Sequence, residues 1–201
     1  MRICVYCSSS SSIDDGYIAL ADQLGTALAR RGHSLVSGGG SVSSMGAVAR
    51  AVRAEGRHTL GVIPEALLEL EVGDRGADEL LVTRTMRERK ALMDERADAF
   101  VALAGGLGTL EELLEIWVGR VLRLHVKPVV VLDPQGLFTA LRHQVDVLVE
   151  QGFARASARD AVSWVTSVDE ALDLVERGAS TERGAGTEQQ AADAEELAEG
   201  E

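Results

Sequence analysis

The sequence predicts an α/β fold, a Rossmann-like doubly wound parallel sheet with helices on both faces. Short apolar runs of strand length alternate with longer segments of helical periodicity along most of the chain. The central run, Ala99–Leu103, is apolar throughout, as is typical of a strand buried on both sides in a parallel sheet. Small-residue turns follow three of the strands, and right-handed crossovers bring such turns to one edge of the sheet. The fold class therefore also predicts where a ligand binds.

The elements follow one another in a regular order. Seven strands are predicted, over Arg2–Tyr6, His33–Val36, Thr59–Ile63, Glu79–Val82, Ala99–Leu103, Pro128–Leu132 and Val162–Val165. Helical spacing of apolar residues predicts helices over Asp14–Arg31, Met45–Ala54, Thr85–Arg96, Thr109–Arg123, Phe138–Glu150 and Val168–Arg177. Gly32 supplies a C-cap and Pro64 ends the third strand. The stretch Glu65–Asp78 is the least regular part, so we expect a loop or a short helical turn there.

Length and composition predict one domain, residues 1–178, followed by a disordered acidic tail, residues 179–201. The formal charge of −12, with no basic tract, argues against binding to nucleic acid or to an anionic membrane. No apolar run approaches the length of a membrane span, and we expect a cytoplasmic protein. Cys4 and Cys7 are three residues apart in a strand, so they point to opposite faces; a buried structural role is expected rather than a metal site or a disulfide.

A glycine-rich turn follows the central strand. Gly105, Gly106 and Gly108 allow close approach of a ligand to the backbone, and Thr109 with Glu112 three residues on fits an N-terminal capping box. The N–H groups and the dipole at the start of a helix favour an anion such as phosphate. A tight strand–helix turn that binds nothing is the alternative; a second glycine turn, Gly38–Gly40, and a nearby basic pair argue against it.

The basic pair is Arg89–Lys90, one helix upstream. Taken alone, Glu88, Arg89 and Lys90 fit a solvated helix face that pairs with Asp94 or Glu95. A binding role is the other possibility, because Arg grips phosphate or carboxylate with two bonds and Lys adds a point charge.

The segments MRERKALM (86–93) and ALAGGLGTLEELLE (102–115) together resemble the LOG family, the cytokinin riboside 5′-monophosphate phosphoribohydrolases. The resemblance extends from about Arg2 to Phe153, with further matches at Ser37–Gly40, Met45–Gly46 and Gly61–Pro64. It implies that Arg89 and Glu112 are catalytic. It also implies a set of substrate-binding residues: Glu71, Arg89, Lys90, Gly105, Gly106, Leu107, Gly108, Thr109, Leu110, Glu111, Gly39, Gly40 and Met45.

The sequence departs from the family pattern at several positions. Ala104 replaces the usual Pro before the glycines, and Ser43–Ser44 replace Gly-Leu. Arg87 replaces a His or an aromatic residue, and Val118 stands where relatives often carry a Thr. The matched charged residues are all present, so the expected reaction class is unchanged.

The chemistry follows from the two acids at the start of the helix. Glu112 repels a phosphate but stabilises the positive charge that develops on a sugar when an N-glycosidic bond breaks. In the family motif the terminal Glu aligns with Glu112, which we therefore rank above Glu111. We expect a hydrolase that releases the base and ribose 5-phosphate from an adenosine 5′-monophosphate derivative, without a metal or cofactor.

Two other classes of protein share parts of this pattern. One is a non-catalytic nucleotide- or molybdenum-cofactor-binding carrier, which does not require Arg89 and Glu112 together. The other is a dinucleotide-dependent oxidoreductase, which the absence of G-x-G-x-x-G after the first strand disfavours. Large apolar residues on more than one face of the helices Thr85–Arg96 and Thr109–Arg123 predict a homodimer, and relatives use this region for dimerisation.

Overall fold

The computed structural model describes residues 1–68 and 73–180. Its seven strands are β1 (Arg2–Tyr6), β2 (Ser34–Ser37), β3 (Thr59–Pro64), β4 (Glu79–Thr83), β5 (Ala99–Ala102), β6 (Val129–Leu132) and β7 (Ser163–Val165). They form one sheet in the order β4-β3-β2-β1-β5-β6-β7, and each neighbouring pair is parallel. The predicted fold class is confirmed.

The helices that follow the strands are α1 (Asp15–Arg30), α2 (Ser43–Ala54), α3 (Met86–Arg96), α4 (Leu107–Val121), α5 (Thr139–Glu150), α6 (Ala156–Asp160) and α7, which is helical over residues 168–180. A 3₁₀ turn spans Glu65–Leu67 in the irregular stretch. The sequence did not predict α6, because five residues are too few to show helical periodicity. Across the described ranges 1–68 and 73–180, no helix has the length and apolar character of a membrane span.

The helices cover both faces of the sheet. Side chains from α1, α2 and α7 pack on one face, around Ile3, Val5 and Leu35. Those from α3, α4 and α5 pack on the other face, around Phe100 and Val131. Cys4 belongs to the second cluster and Cys7 to the first, and both thiols are buried and free. Their predicted placement on opposite faces is confirmed.

The strand order reverses between β1 and β5, which are neighbours at the centre of the sheet. β1 continues into the serine tract at Ser8, and β5 continues into the glycines at Gly105. A crevice opens beyond the carboxyl ends of two such strands, because their crossovers leave in opposite directions. The topology therefore places the main glycine turn at the position where α/β proteins bind ligands.

The last helix extends past the predicted domain end. α7 continues through Gly178 to residue 180, and Ala179 is buried. Gly178 lies so close to Pro128 that a Cβ would come within 2.6 Å of the Pro128 ring. The helix therefore continues two residues beyond residue 178, where the sequence predicted the domain to end. Residues 181–201, most of the predicted tail, lie outside the described residues.

Two truncations separate the end of the domain from the tail. A chain that ends at Arg177 loses the buried Ala179, and we expect its melting temperature to fall by a few degrees, on the scale of about 1 kcal/mol in a domain of this size. A chain that ends at Ser180 should melt within a degree or two of the full chain, because the acidic sequence beyond it contains few large apolar residues. Calorimetry measures the melting temperatures of the two truncated chains. An equal fall in both would contradict a domain that ends at residue 180.

Candidate active site

The start of α4 differs from the predicted capping box. The helix begins at Leu107, with Gly106 as its N-cap, and no side chain caps it. Thr109 lies inside the first turn and is buried. It packs so closely on Gly105 that a Cβ on residue 105 would come within 2.1 Å of the Thr109 hydroxyl oxygen. The predicted N-cap role of Thr109 is therefore wrong. The glycines allow the chain to enter the helix two residues earlier than the capping pattern indicated.

The start of α4 leaves its first N–H groups without the Thr109 cap that the sequence predicted. The first N–H groups of an α-helix have no partner within the helix, and here no side chain replaces one. Among residues 1–68 and 73–180, no atom outside the chain neighbours and the helix's own backbone lies within 4 Å of the position that a Cβ would occupy at Gly106 or Gly108, and both glycines are exposed. The first turn of α4 therefore presents backbone donors and the positive end of the helix dipole to open space.

Arg89 is buried and held by two main-chain carbonyls, one from β3 and one from the turn after β2. Its side chain lies on α3, is only 3% exposed, and donates from Nε to the Val62 carbonyl oxygen at 3.1 Å. Its Nη2 donates to the Gly38 carbonyl oxygen, just beyond β2, at 2.9 Å. The alternative of a solvated charged face is wrong for this residue. A buried guanidinium with its orientation fixed in this way suits a functional cation better than a surface charge.

The second glycine turn makes room for Arg89. A Cβ at Gly38 would lie 1.9 Å from Arg89 Nη2, so no other residue fits without moving the guanidinium. Gly39 has a φ of +77°, in the left-handed region that favours glycine. The turn therefore provides the space for the Arg89 guanidinium and a carbonyl that binds it.

Gly38→Ala tests this contact. The added methyl group must displace the Arg89 guanidinium and weaken its bond to the residue 38 carbonyl, a charge-assisted bond of a kind worth about 1.5–3 kcal/mol. We expect activity to fall at least tenfold, while thermal denaturation still shows a folded protein. A variant with wild-type activity would show that the position of Arg89 is not critical.

The rest of the second turn is tied down internally. Gly39 N–H donates to Ser37 Oγ at 3.3 Å, and Gly40 N–H donates to Met45 Sδ at 3.1 Å. Met45 is buried, and its own N–H bonds to the Ser8 carbonyl at the end of β1. These hydrogen bonds connect the loops after β1 and β2 at the carboxyl edge of the sheet. Gly39, Gly40 and Met45 thus shape the crevice.

The structure also explains one departure from the family pattern. Ser43, at the start of α2, has a φ of +53°, a conformation that glycine adopts more readily. This accounts for the Gly that many relatives carry there. The Ser43 hydroxyl is buried and has no hydrogen-bond partner among the residues that the structure describes.

Glu71 lies outside the described residues. The chain re-enters the described part at Gly73, which forms an isolated β-bridge with Gly40, and Asp74 N–H bonds to the Gly39 carbonyl at 2.8 Å. Asp74 is itself buried and held by both terminal nitrogens of Arg53, at 2.7 and 3.3 Å. No sequence pattern indicated this ion pair, which fixes the returning chain beside the second glycine turn.

Lys90 forms two ion pairs that the sequence did not indicate. Its ammonium group is bound by the carboxylates of Glu111 and Glu115 on α4, and these bonds raise the pKa of Lys90. These two ion pairs therefore connect α3 to α4. Neither Asp94 nor Glu95, the partners expected from the sequence, takes its charge; Asp94 instead binds Lys127 at 2.8 Å.

Glu112 is set apart from its two acidic neighbours. Its side chain is 7% exposed, whereas those of Glu111 and Glu115 are half exposed and paired with Lys90. The Glu112 carboxylate lies close enough to the end of β1 to contribute, after burial, to the raised pKa of Cys7. Burial, the neighbouring Cys4 and Glu112 together raise the pKa of Tyr6. α4 therefore has an uncapped, exposed start and a buried acid one turn further on.

A cavity of about 170 Å³ continues below Glu112 between α3 and α4. Lys90, Ala91 and Asp94 line it from α3, and Glu112, Glu115, Ile116 and Gly119 line it from α4. Within the described ranges, no group of three or more His, Cys, Asp or Glu side chains has the arrangement of a metal site.

Comparison with known sequences identifies relatives over most of the chain. The family model described as "Possible lysine decarboxylase" matches residues 45–175. A cytokinin riboside 5′-monophosphate phosphoribohydrolase of Mycobacterium marinum is 45% identical over 176 residues, which cover 88% of this chain and 94% of the relative. The enzyme of the same name from Mycobacterium tuberculosis is 46% identical over 85% of this chain and 90% of its own length. LOG2 of Arabidopsis thaliana, with the same enzyme name, is 42% identical over 87% and 82%.

Solved structures share the fold at lower identity. The molybdenum cofactor binding protein of Rippkaea orientalis superposes with a TM-score of 0.68 at 22% identity, over 88% of this chain and 95% of its own. The molybdenum cofactor carrier protein of Chlamydomonas reinhardtii gives 0.66 at 20% identity, over 88% and 96%. These similarities establish the fold alone. The family match and the relatives above 40% identity go further: the chain belongs to the LOG family of cytokinin riboside 5′-monophosphate phosphoribohydrolases, whose members also carry the description "possible lysine decarboxylase".

Proposed function

We propose that this protein hydrolyses the N-glycosidic bond of adenosine 5′-monophosphate or an N6-substituted derivative, such as a cytokinin riboside 5′-monophosphate, and releases the free base and ribose 5-phosphate. One observation carries the proposal. α4 joins an uncapped, exposed N-terminus to a buried carboxylate, Glu112, within two turns. A phosphate and the anomeric carbon of its ribose need these two environments, in this order.

The helix start binds the 5′-phosphate. Its donors are the N–H groups of the first turn, from Leu107 to Thr109, and Gly106 and Gly108 let the phosphate approach the backbone. Lys90 keeps Glu111 and Glu115 paired, which reduces their repulsion of the phosphate.

Glu112 acts at the sugar. When the bond between the base and C1′ breaks, positive charge spreads over C1′ and the ring oxygen. A carboxylate in a buried, low-dielectric position stabilises that charge more strongly than one in water. The same carboxylate orients the water that adds to C1′, while the base leaves with a proton.

Arg89 orients the nucleotide against this carboxylate. Two of its N–H donors are bound by the Val62 and Gly38 carbonyls, so its plane is fixed before substrate arrives. Fixed donors of this kind lose little entropy on binding. Glu71, by resemblance, adds a further contact from the loop between β3 and β4.

A carrier of a molybdenum cofactor is the second candidate, because solved proteins of that kind share the fold. A carrier binds and releases its cargo unchanged and has no need of a buried acid beside the anion site. Glu112 and the fixed Arg89 therefore favour hydrolysis.

The active unit is a homodimer in this proposal. Exposed apolar residues on α4 form a stripe, Leu107, Leu114, Val118 and Leu122, which starts in the glycine turn and follows the helix. Beside its far half, Leu148 and Phe153 border the same groove of about 520 Å³. We call these six residues the α4 surface. A second copy seated on it covers apolar area that a monomer leaves in water, and it approaches the site at Leu107.

A direct assay tests the activity. The protein is incubated with AMP and with N6-isopentenyl-AMP, and free adenine or N6-isopentenyladenine is separated by chromatography. We expect base release from at least one of the two. Tight binding of either nucleotide with no release over many hours would favour a carrier.

A further inference from the structure

Four basic side chains lie between the end of β4 and the second turn of α3. Three of them are bound to carboxylate or carbonyl groups of the protein. Arg84 pairs with Glu88 at 2.9 Å, Arg89 is buried on two carbonyls, and Lys90 is bound by two carboxylates. The fourth, Arg87, is exposed and forms no hydrogen bond or ion pair with another residue in the ranges 1–68 and 73–180.

Helix geometry places Arg87 on the side of α3 that faces α4. Residues three, four and seven positions further along lie on the same side of a helix. For Arg87 these are Lys90, Ala91 and Asp94, which all line the cavity against α4. Arg87 therefore extends this face by one turn toward the carboxyl edge of the sheet.

The bonds of Lys90 set the register between the two helices. α3 and α4 each follow a strand of one parallel sheet, so they run in the same direction. Lys90 lies level with Glu111 and Glu115. One turn back on both helices, about 5 Å, brings Arg87 level with the stretch of α4 from Leu107 to Glu112, which includes the start of the helix. The exposed Arg87 is thus on the part of α3 that faces the uncapped start of α4.

We propose that Arg87 is the side chain that binds the 5′-phosphate at the start of α4. This inference rests on the proposed function, because it takes a ribose 5-phosphate group as the occupant. Glu111, Glu112 and Glu115 lie within three turns of that position, so a dianion there needs a cation. Lys90 is already bound to two of these acids, and Arg89 is buried. Arg87 is exposed on the neighbouring helix face, and the planar guanidinium of an Arg can bind phosphate with two hydrogen bonds.

Binding of ribose 5-phosphate, a compound that the protein does not hydrolyse further in this scheme, tests the assignment. Isothermal titration calorimetry compares the wild type with Arg87→Gln, Arg87→Lys and the matched control Arg84→Gln, which removes another exposed Arg three residues away. We expect Arg87→Gln to raise Kd about tenfold. Arg87→Lys should recover part of the loss, and Arg84→Gln should stay within twofold. The dependence of Kd on salt should weaken in Arg87→Gln, because one ionic contact is gone.

Equal Kd values in the wild type and Arg87→Gln would overturn the proposal, as would an equal loss in Arg87→Gln and Arg84→Gln. The same holds if the wild type does not bind ribose 5-phosphate. The result is separable from the proposed function. Arg87-dependent binding in a protein that releases no base would keep this inference and remove the hydrolase activity. Base release without Arg87-dependent binding would do the reverse.

Discussion

Glu112→Gln should reduce the rate of base release at least a hundredfold, while the protein still binds its nucleotide within a few-fold of the wild type. The exchange keeps the shape of a buried side chain and removes only its charge. About 3 kcal/mol of transition-state stabilisation depends on such a contact, on the scale of one lost electrostatic interaction at an active site. Chromatographic assay of free base, with nucleotide affinity measured separately, checks both parts.

The matched control is Glu115→Gln, three residues along the same helix. Glu115 is half exposed and pairs with Lys90, which Glu111 continues to hold in the variant. Its turnover should stay within threefold of the wild type. If Glu112→Gln kept more than a tenth of wild-type turnover, or if both variants lost activity equally, Glu112 would have no special role in the chemistry.

Leu122→Asp combined with Phe153→Asp should convert the dimer to an inactive monomer. These side chains are 63% and 85% exposed in the isolated chain, so charges there cost little in the monomer but are buried and unpaired in a dimer. Val121 lies next to Leu122 but packs against the core, and its replacement would also destabilise the fold. Light scattering and the base-release assay on the same sample check the outcome.

Val82→Asp serves as the control for this surface. Val82 is 56% exposed on β4, which forms the edge of the sheet opposite to β7. It should leave the dimer and its activity intact. An active Leu122→Asp/Phe153→Asp monomer would show that one chain contains the whole site.

The sequence predicted the fold well because the periodicity of apolar residues and the positions of Gly and Pro indicate the same elements. Each predicted strand is present with bounds shifted by no more than two residues, since apolar runs between glycines and prolines leave little choice of register. Errors concentrate at helix ends. α4 starts earlier than predicted because Gly106, with no side chain, serves as its N-cap. α7 runs past Gly178 because that glycine packs on Pro128 rather than ending the helix.

The sequence named the residues of the candidate site but not the contacts between them. Motif and spacing identified Arg89, Glu112 and the glycines, yet they could not show that Arg89 is seated on Gly38 or that Lys90 is bound by two acids. Such contacts join residues that are 21 to 51 positions apart. No local pattern reports them, so only the packed structure distinguishes the exposed Arg87 from its two held neighbours.

The identity of the products tests the central claim most directly. With AMP or N6-isopentenyl-AMP as substrate, one molecule of ribose 5-phosphate should appear for each molecule of free base, with no inorganic phosphate. That ratio is expected if the phosphate stays bound at the start of α4 while Glu112 acts at C1′. Release of inorganic phosphate together with the intact nucleoside would instead show cleavage at the phosphate ester, and it would contradict both phosphate binding by α4 and the action of Glu112 at the sugar.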